Sequence, residues 1–100
     1  MLIQNKYQLI KIIGKGKYSI VYEARNINKT EKCAIKFNIP NNEISKKLLK
    51  NEINIYLKLL KYNISNIVNI KSFGIYNKQN YIIMTLLDID IATYVNKHYD

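Results

Sequence analysis

Four residues carry the chemistry this sequence could do. Gly14 and Gly16 stand in the stretch Ile13-Gly14-Lys15-Gly16-Lys17-Tyr18-Ser19-Ile20-Val21, a glycine-spaced turn between two strand-like runs. Glycine lets a backbone approach a phosphate without a Cβ clash. The N–H groups of such a turn can point at phosphate oxygens. Gly-x-Gly also makes ordinary hairpin turns, so the spacing alone identifies no phosphate site. Lys36 is a cation with apolar neighbours, Ala34, Ile35 and Phe37. It either snorkels to water at an edge or lies beside the turn as a phosphate ligand, and then a partner must hold it. Glu52 falls on an apolar helical stripe, with Leu48 and Leu49 one turn before it and Ile55 and Tyr56 one turn after. A carboxylate there loses hydration unless it is paired. Lys36 is the obvious partner, with Lys50 or Lys58 as surface alternatives, while Glu43 is a poorer carboxylate because it belongs to a loop or first turn. A buried pair adds little net stability but is costly to break, which argues for a positioning role.

The elements that must position these groups follow from pattern. Tyr7 to Ile13 reads as a first strand, ended by Gly14 and Gly16. Ser19 to Arg25 reads as a second, joined through the polar turn Asn26-Ile27-Asn28-Lys29-Thr30 to a third at Glu31 to Asn38. In that third strand Cys33, Ile35 and Phe37 point one way, and Ala34, Lys36 and Asn38 the other. Pro40-Asn41-Asn42 closes it. A helix is expected from Ile44 to Lys61, where Leu48, Leu49, Ile53, Tyr56, Leu57 and Leu60 recur at helical spacing. After a polar break at Asn63 to Asn66, a fourth strand spans Ile67 to Ile75. A turn at Asn77-Lys78-Gln79-Asn80 leads to a fifth, Tyr81 to Leu87, which is apolar on both faces and so central or well covered. Asp88-Ile89-Asp90 reads as a linker, and Ile91 to Tyr99 as the start of a second helix.

Composition narrows the classes. One hundred residues make one small domain with a modest core. The net charge of +9 favours phosphate-bearing or acidic partners. However, Ile, Lys, Asn and Tyr dominate together, and most lysines read as solvated surface. The single cysteine, Cys33, permits no internal disulfide and fits a reducing compartment. Its place in an apolar strand marks a small buried side chain rather than a reactive thiol. No apolar run approaches a membrane span, and Gln4, Asn5 and Lys6 interrupt any signal-peptide core. The expectation is a soluble intracellular protein, cytoplasmic or nuclear. Basic residues are spread over loops and helix with no aromatic stacking motif, so a nucleic-acid-binding domain is the least supported alternative.

Taken in order, Gly14-x-Gly16-x-x-Ser19-x-Val21, Ala34-Ile35-Lys36, helical Glu52 and Tyr81-Ile82-Ile83-Met84-Thr85-Leu86-Leu87 resemble the amino-terminal lobe of a eukaryotic-type protein kinase. The resemblance covers essentially residues 1–100. It implies an α+β fold, a five-stranded antiparallel sheet with one packed helix. Tyr7-Gln8-Leu9 and the run from Gly14 through Glu23-Ala24 resemble the glycine loop of casein kinase 2. Glu52 to Tyr56, Ser72-Phe73-Gly74 and Met84-Thr85-Leu86-Leu87 look more like casein kinase 1. Both are serine/threonine kinases.

The resemblance implies roles position by position. Ile13, Gly14, Lys15, Gly16, Lys17, Tyr18, Ser19, Ile20 and Val21 would lie over ATP, with Ser19 where the third glycine usually is. Val21 and Ala34 would pack on adenine. Lys36 would contact the α- and β-phosphates and pair with Glu52. Met84 would gate the pocket behind adenine, and Thr85 with Leu86, Leu87 and Asp88 would be the hinge. Phosphoryl transfer also needs a catalytic aspartate and Mg²⁺ ligands, which in the family come from His-Arg-Asp-x-x-x-x-Asn and Asp-Phe-Gly motifs of the second lobe. Neither motif occurs here, and no metal ligand is assigned. His98-Tyr99-Asp100 lies too soon after the hinge to stand in. The expectation is the front piece of a serine/threonine kinase whose Mg²⁺ and protein-substrate sites lie in the missing lobe. The alternative is a stand-alone, non-catalytic lobe that binds another protein.

Overall fold

A computed structural model describes residues 2–29, 31–61 and 70–85. The expected break at Asn63 to Asn66, residues 67–69 of the expected fourth strand, Leu86 and Leu87, the linker, the second helix and His98-Tyr99-Asp100 lie outside the described residues. The elements are β1 (Tyr7–Lys15), β2 (Ser19–Asn26), β3 (Lys32–Asn38), α1 (Glu43–Lys61), β4 (Ile70–Tyr76) and β5 (Gln79–Thr85). The strands form one antiparallel sheet in the order β1-β2-β3-β5-β4. This is the five-stranded sheet with one helix that the sequence implies. β5 lies between β3 and β4, which explains why Asn80 to Met84 are all buried.

Several boundaries differ from the sequence expectation. Gly14 does not end β1: the strand runs to Lys15, with Gly14 opposite Val21 and Lys15 opposite Ile20. Neither glycine of the turn has a positive φ; Gly14 pairs within the ladder, and Gly16 lies between the two strands. The connection from β4 to β5 is two residues, Asn77 and Lys78, with φ of 50° and 68°. That is the left-handed geometry of a type I′ hairpin turn, and it leaves Gln79 and Asn80 free to pair in β5. β1 carries register shifts between Leu9 and Lys11 and between Ile12 and Gly14. Such bulges bend a strand and re-aim its side chains. Ile10 and Ile12 are exposed while Ile13 packs inward.

The sheet is apolar on both faces. On one, Tyr7, Ala24, Cys33, Ile35, Phe37, Tyr81 and Ile83 join Ile3 of the segment before β1. Gln4 secures that segment by donating from Nε2 to Ser72 Oγ and Tyr81 Oη, each at 3.0 Å. Burial there pushes the Cys33 thiol up to about 11, as suits a small core side chain. On the other face Val21, Ala34, Ile82 and Met84 pack with Leu49 of α1. The alternation read in β3 thus holds.

α1 begins one residue earlier than its hydrophobic pattern shows, because Asn42 caps it. Asn42 Oδ1 accepts from Ser45 N at 3.0 Å, and Asn42 O accepts from Lys46 N at 3.1 Å. A cap of this kind contributes about 1 kcal/mol. The helix packs mainly on β5 and β3, and its buried stripe is narrower than expected. Leu49 is buried and Ile53 and Tyr56 half-buried, whereas Leu48 and Leu57 are exposed. No helix among the described residues is long and apolar enough to cross a membrane.

Candidate functional site

The strand period and the sheet register together build the site. In β3, Ala34 and Lys36 share the face turned toward α1. Across the sheet, Val21 of β2, Lys36 and Ile82 of β5 form one row, and Glu23, Ala34 and Met84 form the next. Val21, Ala34 and Met84 are each at most 3 % exposed, and Ile13 packs against the same cluster. A buried apolar cluster, with Glu23 in one of its rows, therefore lies beside Lys36.

Lys36 is 2 % exposed, which overturns the alternative of a lysine snorkelling from an edge. Its Nζ lies 3.3 Å from Glu52 Oε2 and donates to Oε1 at 3.5 Å. Helix α1 thus supplies the carboxylate, not to Lys50 or Lys58 on its own surface but across to the strand. Glu52 keeps 20 % of its side chain exposed, so water still reaches the pair. The Tyr56 hydroxyl donates to Glu52 Oε1 at 3.3 Å. Sequence reading placed Tyr56 on the apolar stripe and missed this bond. Its signal was the i, i+4 spacing from Glu52, which puts both on one helix face.

The glycine turn closes toward α1. Gly16 N donates to Ser19 O at 2.9 Å, so that N–H belongs to the turn and is not free for a ligand as the sequence suggested. Tyr18 and Ser19 line a cavity of about 20 Å³ together with Lys36, Ser45, Leu48, Leu49 and Glu52. A space of that size holds about one water, so the side chains around Nζ must move apart for a phosphate to enter. Lys15 and Lys17 are exposed and Ile20 is half-buried. Thr85 is half-buried at the end of β5, opposite Cys33. Leu86 and Leu87 lie outside the described residues.

Three further charged side chains, Glu23, Glu31 and Lys71, went unread in the sequence. Glu23 is 8 % exposed on the Val21 face, and no ion pair within 4 Å is found for it among the described residues. Glu31 pairs with Lys71 of β4. The Lys71 hydrogen bond holds the Glu31 carboxyl below its usual range, and the same bond raises Lys71. Among the described residues no three His, Cys, Asp or Glu come together as a metal site.

A buried apolar cluster and a buried, carboxylate-held cation thus share one sheet face. The model of a family described as "Protein kinase domain" matches residues 7–99. A solved crystal structure described as a kinase domain superposes with a TM-score of 0.70 at 24 % identity, covering 85 % of this chain and 25 % of that one. At that identity the likeness is one of fold, and this chain spans a quarter of that structure's length.

Proposed function

The chain belongs to the protein kinase domain family, and on that premise we propose that it is the ATP-binding lobe of a serine/threonine kinase completed by a second lobe. The observation that supports this reading is the gathering of Ile13, Val21, Ala34, Met84, Lys36 and Glu52 on one sheet face. Ile13, Val21 and Ala34 give adenine an apolar ceiling, and Met84 limits its depth. Lys36 supplies a point charge to the phosphates, and Glu52 holds it there across the helix–sheet gap. Residues 14–19 form the turn above them, with Ser19 in place of a third glycine as in casein-kinase-like loops. ATP, when bound, supplies the phosphoryl group to be transferred. The groups that hold Mg²⁺, take the proton from a protein hydroxyl and bind the protein substrate would belong to the second lobe.

The test is phosphoryl transfer by the full gene product to a mixed protein substrate, with phosphoamino-acid analysis. Lys36→Met should lower kcat/KM by at least about 100-fold while the fold stays intact, since positioned electrostatic groups contribute on that scale. Label should appear on serine and threonine. Equal turnover by wild type and Lys36→Met would refute the role of Lys36, and label confined to tyrosine would refute the specificity.

A further inference from the structure

We propose that Tyr56 is a positioning residue for the Lys36–Glu52 pair, acting through its hydroxyl on the Glu52 carboxylate. This rests on the nucleotide-site reading above and adds a third member to that site. Glu52 has three side-chain torsions, and the apolar groups around it can restrict its volume but cannot fix the plane of its carboxylate. Only directed hydrogen bonds do that. Oε2 faces Lys36 Nζ at 3.3 Å, and Oε1 lies between Nζ at 3.5 Å and Tyr56 Oη at 3.3 Å. Two donors from different elements therefore meet one carboxylate.

The two donors differ in how firmly they are placed. Lys36 ends a flexible four-carbon stem. Tyr56 carries its hydroxyl on a rigid ring packed against the cluster of Val21, Ala34, Leu49, Ile82 and Met84. Packing of the ring thus sets where Oη stands, and Oη sets where Oε1 stands. Lys36 takes its position from the carboxylate so oriented. The same apolar cluster that would face adenine thereby fixes the phosphate-binding cation, through one tyrosine. A purely apolar residue at position 56 would fill the space and leave Oε1 to rotate toward the water that reaches the exposed fifth of Glu52.

The test compares binding of ATP and of adenosine, which lacks phosphates, to the full gene product. Tyr56→Phe keeps the ring and removes only the hydroxyl. It should weaken ATP by roughly three- to tenfold, the scale of an ordinary net hydrogen bond. Adenosine should stay within about twofold, because Lys36 touches only phosphates. In a Lys36→Met background, where no cation remains to be positioned, Tyr56→Phe should leave ATP affinity unchanged. Three results would overturn the proposal: ATP affinity unaltered by Tyr56→Phe although Lys36→Met weakens it, equal losses for ATP and adenosine, or an undiminished loss in the Lys36→Met background. If Lys36→Met itself fails to separate ATP from adenosine, the Lys36 reading falls and takes this inference with it, a pattern different from the other three.

Discussion

Removing either partner of the Lys36–Glu52 pair should have unequal effects on stability, and the structure fixes the direction. Lys36 is 2 % exposed, whereas Glu52 keeps 20 % of its side chain in water. Glu52→Gln preserves shape but leaves a buried ammonium facing a neutral amide. Breaking a fully buried pair this way costs about 3–5 kcal/mol. Water at Glu52 reduces that here to about 2–4 kcal/mol. Lys36→Met replaces the cation by an apolar chain of similar length. The Glu52 carboxylate it leaves behind retains water and the Tyr56 hydroxyl, so the cost should be about 0–1 kcal/mol. In the Lys36→Met background, Glu52→Gln should cost less than about 0.5 kcal/mol, because no buried ammonium remains to be abandoned. Urea unfolding followed by circular dichroism measures all four corners, with unchanged slopes as the check that only stability moved. Equal costs for the two single variants, or strict additivity in the double variant, would refute the reasoning.

Two further outcomes concern the frame around the site. A Cβ built on Gly74 would lie 2.6 Å from Tyr81 Oη and 2.9 Å from Cζ, and Tyr81 is held by Phe37 packing and by Gln4. Gly74→Ala should therefore destabilise by about 1–3 kcal/mol, read as a lower melting temperature that Tyr81→Phe partly restores; an unchanged melting temperature would contradict the clash. The Glu31–Lys71 pair should act only in a middle pH window. Glu31 is lowered from 4.5, so its contribution is present above that value and lost as pH falls through its folded pKa. Lys71 is raised from 10.5, so its contribution is present below that value and lost as pH rises through its folded pKa. The stability difference between wild type and Glu31→Gln, measured from pH 2 to 12 (an experimental range of roughly ten units), should be flat in between and vanish at both ends. A difference that persists in acid would refute the assignment.

The strands were legible because a period of two is hard to disguise, and β3 shows it best. Ala34 and Lys36 alternate with Cys33, Ile35 and Phe37, and each set found the face its period required. The helix was legible as an element but not in its buried width. Leu48 and Leu57 belong to the apolar stripe yet are exposed, since α1 packs on β5 and β3 mainly through Leu49, Ile53 and Tyr56. The turns were blurred because left-handed backbone at a lysine, as at Lys78, leaves no compositional trace. The bulges of β1 were invisible for a related reason: an inserted residue changes register without changing residue type. Yet the bulge between Ile12 and Gly14 accompanies the inward packing of Ile13 beside Val21 and Ala34.

What joins these separate readings into a site is the pairing register, which no local pattern contains. Lys36 stands between Val21 and Ile82, and Ala34 between Glu23 and Met84. Rows two residues apart along a strand are separated by about 6.6 Å, so the cation and the apolar wall are close neighbours on one face. A slip of β3 by one residue would turn Lys36 to the opposite face and put Ile35 in its place. Glu52 would then lose the partner 3.3 Å away, although every motif in the sequence would be unchanged. The buried Glu23 follows from the same register: its place beside Ala34 and on the side of Val21 is set by the rows, not by any preference of a carboxylate for a strand interior. The proposed site is thus a property of five paired strands and one helix, and the glycine turn, lysine and glutamate can act together only because the sheet holds them in that order.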